Sequence, residues 1–328
     1  MNGERPLPPD IVRASHAEFL VSDLERSRRF YVDVLGFTVS HEDGRSIHLR
    51  GIEDRMHHCL TLTKSSRTGI GHIAFRVRGG EDMDRAAALL DEEGLRFIDV
   101  EAGGEEGIGR AIRFQDRLGF PVELFNESEG REWMLQRFHS QHGARVMRLD
   151  HFNLFVRDVD AALSWYEGSL SFAVSEYVEG RSGGGKVSAA WLRRKPSSHD
   201  VALMEGRGPR FHHAGFVVND RDSILDAADI LSSSGYSASI ERGPGRHGIT
   251  NAFFLYLRDP DGIRIELYTG DYLAADPYLP PVVWKPTDPQ RQTFWGTPAP
   301  ESWWRDASPV YSVFGGKAVR TGPAAHDA

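Results

Sequence analysis

Two stretches of the chain, 16–23 and 151–158, are short apolar runs that each end at an Asp before the spacing changes to apolar positions three and four apart. Such a short apolar run predicts a strand, and the 3.6-residue spacing that follows predicts a helix. The helices are expected over 24–35 and 159–170, with Asp23 and Asp158 placed to cap their first turns. The pattern then recurs: 71–77 and 212–218 are apolar strands followed by helical spacing over 81–93 and 223–234. Each half closes on two apolar strands around a turn, 113–125 with Asp116-Arg-Leu-Gly119 and 253–268 with Asp259-Pro-Asp-Gly262. Asp-Pro-x-Gly between two apolar runs is turn chemistry.

This is an internal duplication, and it sets the fold class. The expected architecture is α+β, built of tandem βαβββ modules. The domains divide as 1–135, an N-terminal module, and 145–270, a C-terminal module. After Gly270 the periodicity fades into prolines alternating with Trp284, Trp295, Trp303 and Trp304. So many aromatics in an irregular segment predict a cover that packs onto something, a lid over 271–315. Residues 316–328 read as a loose tail.

Composition narrows the function. The formal charge of −8 argues against a protein that tracks nucleic-acid phosphates. Hydrophobic residues at 40 % give enough material for a sizeable core. No apolar run is long enough to span a bilayer, and the first ten residues hold no apolar signal core. A soluble cytoplasmic protein without a membrane or nucleic-acid partner is expected. The single cysteine, Cys59, excludes an intrachain disulfide and a cysteine-based zinc site.

The fourteen histidines are the unusual feature. Each module begins one strand with His, begins a later strand with His and carries Glu in its last strand. In the second module these are His151, His213 and Glu266. Two imidazoles and a carboxylate on strands of a curved sheet match the 2-His-1-carboxylate facial triad, which holds Fe(II) or Mn(II) and leaves positions open. The competing reading is three hydrogen-bonded core residues.

The surroundings decide between them. Gly245-Arg-His247, seven residues, then Leu255-Tyr256, Asp259-Pro260, Gly262 and Glu266 fit the signature of extradiol ring-cleaving dioxygenases. On that signature the chain is identified as a member of the type I extradiol dioxygenases of the vicinal oxygen chelate superfamily. Arg148-Leu-Asp-His-Phe-Asn153, Ala190-Trp191, Val201-Ala-Leu203 and Glu241-Arg-Gly-Pro-Gly-Arg-His-Gly248 resemble the homoprotocatechuate (3,4-dihydroxyphenylacetate) 2,3-dioxygenases. So do Tyr268-Thr-Gly-Asp-Tyr272, Trp284, Gln290-Arg291 and Trp295-Gly296. The similarity runs to about Ser308 and is densest from Leu149 to Gly296.

The resemblance implies a glyoxalase-like fold and an enzyme that inserts both atoms of O2 into a substituted catechol, giving a 2-hydroxymuconate-semialdehyde product. It implies that His151, His213 and Glu266 ligate the metal, Fe(II) first and Mn(II) second. His199 matches the acid/base of the family, a neutral imidazole suited to moving a catechol proton; its bland alternative is a surface histidine in a polar stretch. His247 and Tyr256 match residues that hydrogen-bond a substrate oxygen. Asn153, two residues beyond His151, shares its strand face and is placed to meet O2 or substrate. Trp191 and Trp303 match pocket walls, and a homotetramer is expected.

Arg242 matches one of two arginines that bind the substrate carboxylate, a task for which the guanidinium fork is suited. The second belongs to an Arg-Arg pair that here reads Arg291-Gln292. The departure points from 3,4-dihydroxyphenylacetate itself toward an analogue with a neutral, longer or amide-like side chain.

In the first module His16, His72 and Glu123 occupy the places of the triad, with His58 near that of His199 and Arg113 in that of Tyr256. They are expected to be hydrogen-bonded relics of duplication, a second metal being the alternative. The run Arg181-Ser-Gly-Gly-Gly-Lys186 lacks phosphate-loop spacing and predicts a hairpin loop, and Arg193-Arg-Lys195 a solvated charge run. Two other functions compete. An isomerase or epimerase of the same superfamily would want a carboxylate base beside the metal. A metal-dependent aromatic-ligand binding protein would hold a catechol without consuming O2.

Overall fold

In the computed structural model, which describes residues 6–180 and 185–325, the first apolar stretch belongs to a longer strand, β1 (Ile11–Val21). The Asp23 carboxylate caps the helix behind it, accepting from the Arg26 amide at 3.0 Å. That helix, α1 (Leu24–Arg28), does not continue to residue 35 as the spacing predicts. The chain widens into a π turn, Arg29–Val34, in which the Leu35 amide donates to the Phe30 carbonyl, and the wide turn buries Phe30, Tyr31 and Val34 together.

The remaining elements of this module are β2 (Thr38–Glu42), β3 (Ser46–Arg50), β4 (Leu60–Lys64), β5 (Gly69–Val77), α2 (Gly80–Glu92), β6 (Phe97–Val100), β7 (Ala111–Gln115) and β8 (Pro121–Phe125). They form one sheet in the order β2-β3-β4-β1-β5-β8-β7-β6. The second module begins with β9 (Val146–Val156), α3 (Val159–Gly168), β10 (Ala173–Glu179), β11 (Val187–Arg193), β12 (Val201–Glu205) and β13 (Arg210–Val218). It continues with α4 (Arg221–Ser233), β14 (Ile240–Arg246), β15 (Phe253–Arg258) and β16 (Arg264–Thr269). Its order, β10-β11-β12-β9-β13-β16-β15-β14, repeats the first strand for strand. The α+β duplication read from the hydrophobic pattern is therefore the architecture.

Beyond residue 270 come β17 (Val282–Trp284), β18 (Trp295–Gly296) and α5 (Glu301–Arg305). β17 pairs with β10 and β18 with β14, so this segment adds a strand to each outer edge of the second sheet. The two modules share one hydrophobic core. Phe19 meets Phe211 and Phe75 meets Phe152 with ring centroids 5.9 and 5.8 Å apart, and the Tyr31 hydroxyl donates to Asp259 at 3.0 Å. Asp259 also accepts from the Asp261 and Ile263 amides, which closes the predicted turn, with Gly262 at φ 82°.

Two expectations from sequence are corrected. The described part of the tail, 316–325, is not loose. Gly322 exchanges backbone hydrogen bonds with Gly208, and the Ala325 amide donates to the Arg157 carbonyl. Gly322 permits this approach because a Cβ there would lie 2.9 Å from Arg157 Nε. Nor is the run at 193–195 a solvated one, since Arg194 binds Asp10 and Lys195 binds Asp200 and Asp150. Of the proposed hairpin loop, 181–184 lie outside the described residues. Among the described residues no helix is long and apolar enough to cross a membrane.

Candidate active site

Strands β9, β13 and β16 lie side by side, and each contributes one donor to a common point. His151 Nε2 is 3.3 Å from His213 Nε2 and 3.1 Å from Glu266 Oε2, and His213 Nε2 is 3.2 Å from the same oxygen. Neighbouring ligands of one ion with bonds of about 2.1 Å lie roughly 3 Å apart, so the three buried donors fit a single divalent cation.

The tautomers are set from behind. The His212 Nε2–H donates to the Trp303 carbonyl at 2.9 Å, so His212 Nδ1 accepts from His213 Nδ1–H at 2.7 Å. That leaves the His213 Nε2 lone pair facing the centre. His151 Nδ1–H donates to Asp150 at 3.3 Å, with the same result. Asp150 is in turn held by Lys195 and Arg148. Lys195 thus serves the site through Asp150, a role the sequence reading missed.

Charge follows the same logic. Burial would raise the Glu266 carboxyl, but the two imidazoles against it, His151 and His213, outweigh burial and hold the group ionised, well below its usual range. Burial pushes His213 down to about 4, which keeps it neutral. Burial opposes charge on His151 as well, yet Asp150 and Glu266 push it up to about 9. The carboxylates therefore draw positive charge to His151 Nε2, the place a metal ion would take.

The register explains one further residue. Gly215 lies opposite His151 on one side and Glu266 on the other. A Cβ at Gly215 would stand 2.1 Å from His151 Cε1. Gly215→Ala is accordingly expected to tilt the ring and weaken metal binding by about 10- to 100-fold, the cost typical of disturbing a ligand's support. Metal per chain after dialysis, with circular dichroism as the check on folding, tests this; a full equivalent retained would show that the ring tolerates the methyl.

A cavity of about 470 Å³ opens on the three donors. Of the predicted site residues, His199, His247, Tyr256, Asn153, Trp191, Arg291, Gln292 and Trp303 all line it. His199 is buried, not on the surface; its Nδ1 pairs with the Ser198 hydroxyl at 2.7 Å, and its ring lies 4.0 Å from that of His151. Burial and the neighbouring His151 keep it neutral, well below the usual histidine range. The His247 Nδ1–H donates to the Gln292 carbonyl, so its Nε2 accepts from the Tyr256 hydroxyl at 2.9 Å. Asn153 Oδ1 is buried with no hydrogen-bond partner, as expected of a group that meets a ligand.

Arg242 is the exception. It does not line the cavity but is clamped one layer behind it, 4.7 Å from the Trp303 ring and 4.8 Å from that of Phe254. Its guanidinium donates to Thr293 Oγ1 at 2.7 Å and to the Gln292 carbonyl at 3.3 Å.

The C-terminal segment closes the cavity. Pro286, Arg291 and Gln292, on the stretch that joins β17 to β18, line its wall, as do Trp303 and Trp304. Glu176 on β10 anchors the stretch, accepting from Trp284 Nε1 at 2.6 Å and the Tyr272 hydroxyl at 2.8 Å.

A family profile described as the Glyoxalase/Bleomycin resistance protein/Dioxygenase superfamily matches residues 13–124 and 148–267. The chain is 33 % identical over 302 residues to the manganese-dependent 2,3-dihydroxybiphenyl 1,2-dioxygenase of Geobacillus genomosp. 3, covering 88 % of this chain and 95 % of that one. It is 32 % identical over 319 residues to a metapyrocatechase of Geobacillus stearothermophilus, covering 92 % and 94 %. Among solved structures it is similar to homoprotocatechuate 2,3-dioxygenase from Brevibacterium fuscum in complex with 3,4-dihydroxyphenylacetate. That match has a TM-score of 0.93 at 42 % identity and covers 97 % of this chain and 99 % of the other. The corresponding enzyme of Arthrobacter globiformis superimposes with a TM-score of 0.92 at 41 % identity, over 96 % and 97 %.

Proposed function

The chain belongs to the Glyoxalase/Bleomycin resistance protein/Dioxygenase superfamily and is an extradiol ring-cleaving dioxygenase of catechols; from that premise we propose that its substrate carries a neutral, hydrogen-bonding side chain. Its cofactor is Fe(II) or Mn(II). The observation that carries the substrate reading is the cavity lining: Gln292 is part of it, and Arg242 is not. Trp191, Ile249, Trp303 and Val178 make much of that lining apolar, with Lys186 and Arg291 as its cations. An amide or ester can bond to a glutamine side chain, whereas a carboxylate wants the bidentate fork.

In this reading His151, His213 and Glu266 hold the ion. When bound, it supplies the Lewis acidity and accessible electrons that O2 needs to react with an aromatic diol. His199 takes a catechol proton, with Nε2 the nitrogen left for it once Ser198 has engaged Nδ1. Tyr256, whose proton is directed to His247 Nε2, accepts from a ligand hydroxyl and fixes the ring's orientation. Asn153 Oδ1 meets the ligand from β9, and the cover from 271 onward keeps water out. The product is a 2-hydroxymuconate semialdehyde.

A second reading keeps 3,4-dihydroxyphenylacetate as the substrate, its carboxylate held by Arg291 or Lys186, which line the same cavity. Kinetics on anaerobically Fe(II)-loaded protein separate the two, with O2 uptake and a visible spectrum recorded for the acid, its amide and unsubstituted catechol. The expected result is a kcat/KM for the amide at least about tenfold above that for the acid, and a reversed order in Gln292→Arg. Wild-type preference for the acid would overturn the neutral-side-chain reading. No uptake with any catechol by metal-replete protein would count against ring cleavage itself.

Two further parts of the reading are the assembly and the location. The family resemblance makes a homotetramer the expected form, and apolar side chains left exposed along the C-terminal segment, Leu273, Tyr278, Leu279, Val282 and Phe294, support self-association. The family resemblance also points to the cytoplasm. Light scattering on the purified chain tests the assembly.

A further inference from the structure

The relics of the first module are arranged as a second donor set. His16 Nε2 on β1 lies 3.3 Å from His72 Nε2 on β5, the same separation as between the two histidines of the active site. Glu123 on β8 and Glu105, from the loop between β6 and β7, complete the group. His16 Nε2 is 3.3 Å from Glu105 Oε1 and 3.3 Å from Glu123 Oε1, and His72 Nε2 lies 3.6 and 3.9 Å from the other oxygens of these carboxylates. Four donors around a tetrahedral ion with bonds of about 2.0–2.1 Å lie roughly 3.3 Å from one another.

The groups behind these donors are those a bound cation would need. His72 Nδ1–H donates to Glu18 at 3.2 Å, which turns its Nε2 lone pair inward. His58 Nε2 holds Glu105 Oε1 at 3.1 Å. Arg113 takes the outer oxygens of both carboxylates, Oε2 of Glu105 and, at 2.5 Å, Oε2 of Glu123. It thereby occupies the rim and leaves the inner oxygens facing His16. Glu123 Oε1 is fully buried and makes no hydrogen bond, although His16 Nε2 lies 3.3 Å away. A buried carboxylate oxygen without a donor costs free energy that a cation would recover.

We propose that His16, His72, Glu105 and Glu123 form a second metal site, which takes a four-coordinate divalent cation of the zinc class and serves structure, not turnover. The set has four protein donors where the active site has three, so no position remains for a substrate. Its effect is to pin the 101–110 loop to three strands of the first sheet. The site is independent of the ring-cleavage reading.

Metal analysis and Co(II) substitution test it. Wild-type protein dialysed against Zn(II) should hold two equivalents per chain, and Glu105→Gln one, with ring cleavage by the Fe(II)-loaded variant unchanged. Four-coordinate Co(II) absorbs visible light far more strongly than six-coordinate Co(II). The Co(II) form of Glu266→Gln, which lacks the other centre, should therefore keep an intense band that is lost when Glu105→Gln is added. One equivalent in the wild type, or only weak six-coordinate bands in Co(II)-loaded Glu266→Gln, would overturn the proposal. If Glu105→Gln fails to fold, the spectrum of Glu266→Gln alone decides.

Discussion

Glu266→Gln is expected to empty the centre on β9, β13 and β16 and abolish ring cleavage. Glutamine keeps the shape but removes the only negative charge among the three donors, and its amide can turn N–H groups toward imidazole lone pairs that already face the centre. Leaving one member of a buried charged set uncompensated costs about 3–5 kcal/mol. At about 1.4 kcal/mol per factor of ten, that is roughly two to four orders of magnitude in metal affinity. Metal per chain after dialysis against Fe(II) or Mn(II), beside O2 uptake, measures both losses. A variant that kept a full equivalent at this centre would remove Glu266 from the ligand set.

The second large effect is expected at His199 and has a different signature. His199→Phe should lower kcat by about 10²- to 10⁴-fold, the usual worth of a positioned proton carrier, while metal content stays at the wild-type level. The phenyl ring can keep the stacking on His151, where the centroids are 4.0 Å apart, and nothing at the centre loses a donor. What disappears is a neutral imidazole beside the ligand. Substrate titrations under anaerobic conditions separate binding from turnover. Loss of metal on this substitution would make His199 a supporting residue of the metal site and not a carrier of protons.

Much of this arrangement is legible in the sequence because it rests on local rules. Short apolar runs marked β1 and β9, the aspartates marked the caps and the turn at 259–262, and repetition of both marked the duplicated sheet. The three donors could be picked out because each sits in an apolar strand, where a charged or titratable residue is conspicuous. Gly215 was not legible. A glycine within a strand signals a close approach, but which ring approaches it depends on the register of three strands. The same limit applies to Arg242, whose match to a motif could not reveal that Trp303 and Phe254 close around it. Arg194 and Lys195 looked like surface charge because Asp10 and Asp150 lie on distant segments and Asp200 meets them only when their own loop folds back. Glu105 sits in a glycine- and glutamate-rich loop with every local mark of solvation, and only the folding of that loop brings it to His16.

The two strands that the C-terminal segment adds to the second sheet bear on the order of events during synthesis. The cover is held in part by long-range pairings; the bond from Trp284 to Glu176 spans 108 residues. Contacts of such separation form late, after the local hairpins and strand pairs. All three donors of the active site are already made by residue 266. The donor set, complete on strands that end at residue 269, can thus assemble as an open trough before β17 and β18 pair onto the sheet edges, which gives the ion a way in that the finished cavity narrows.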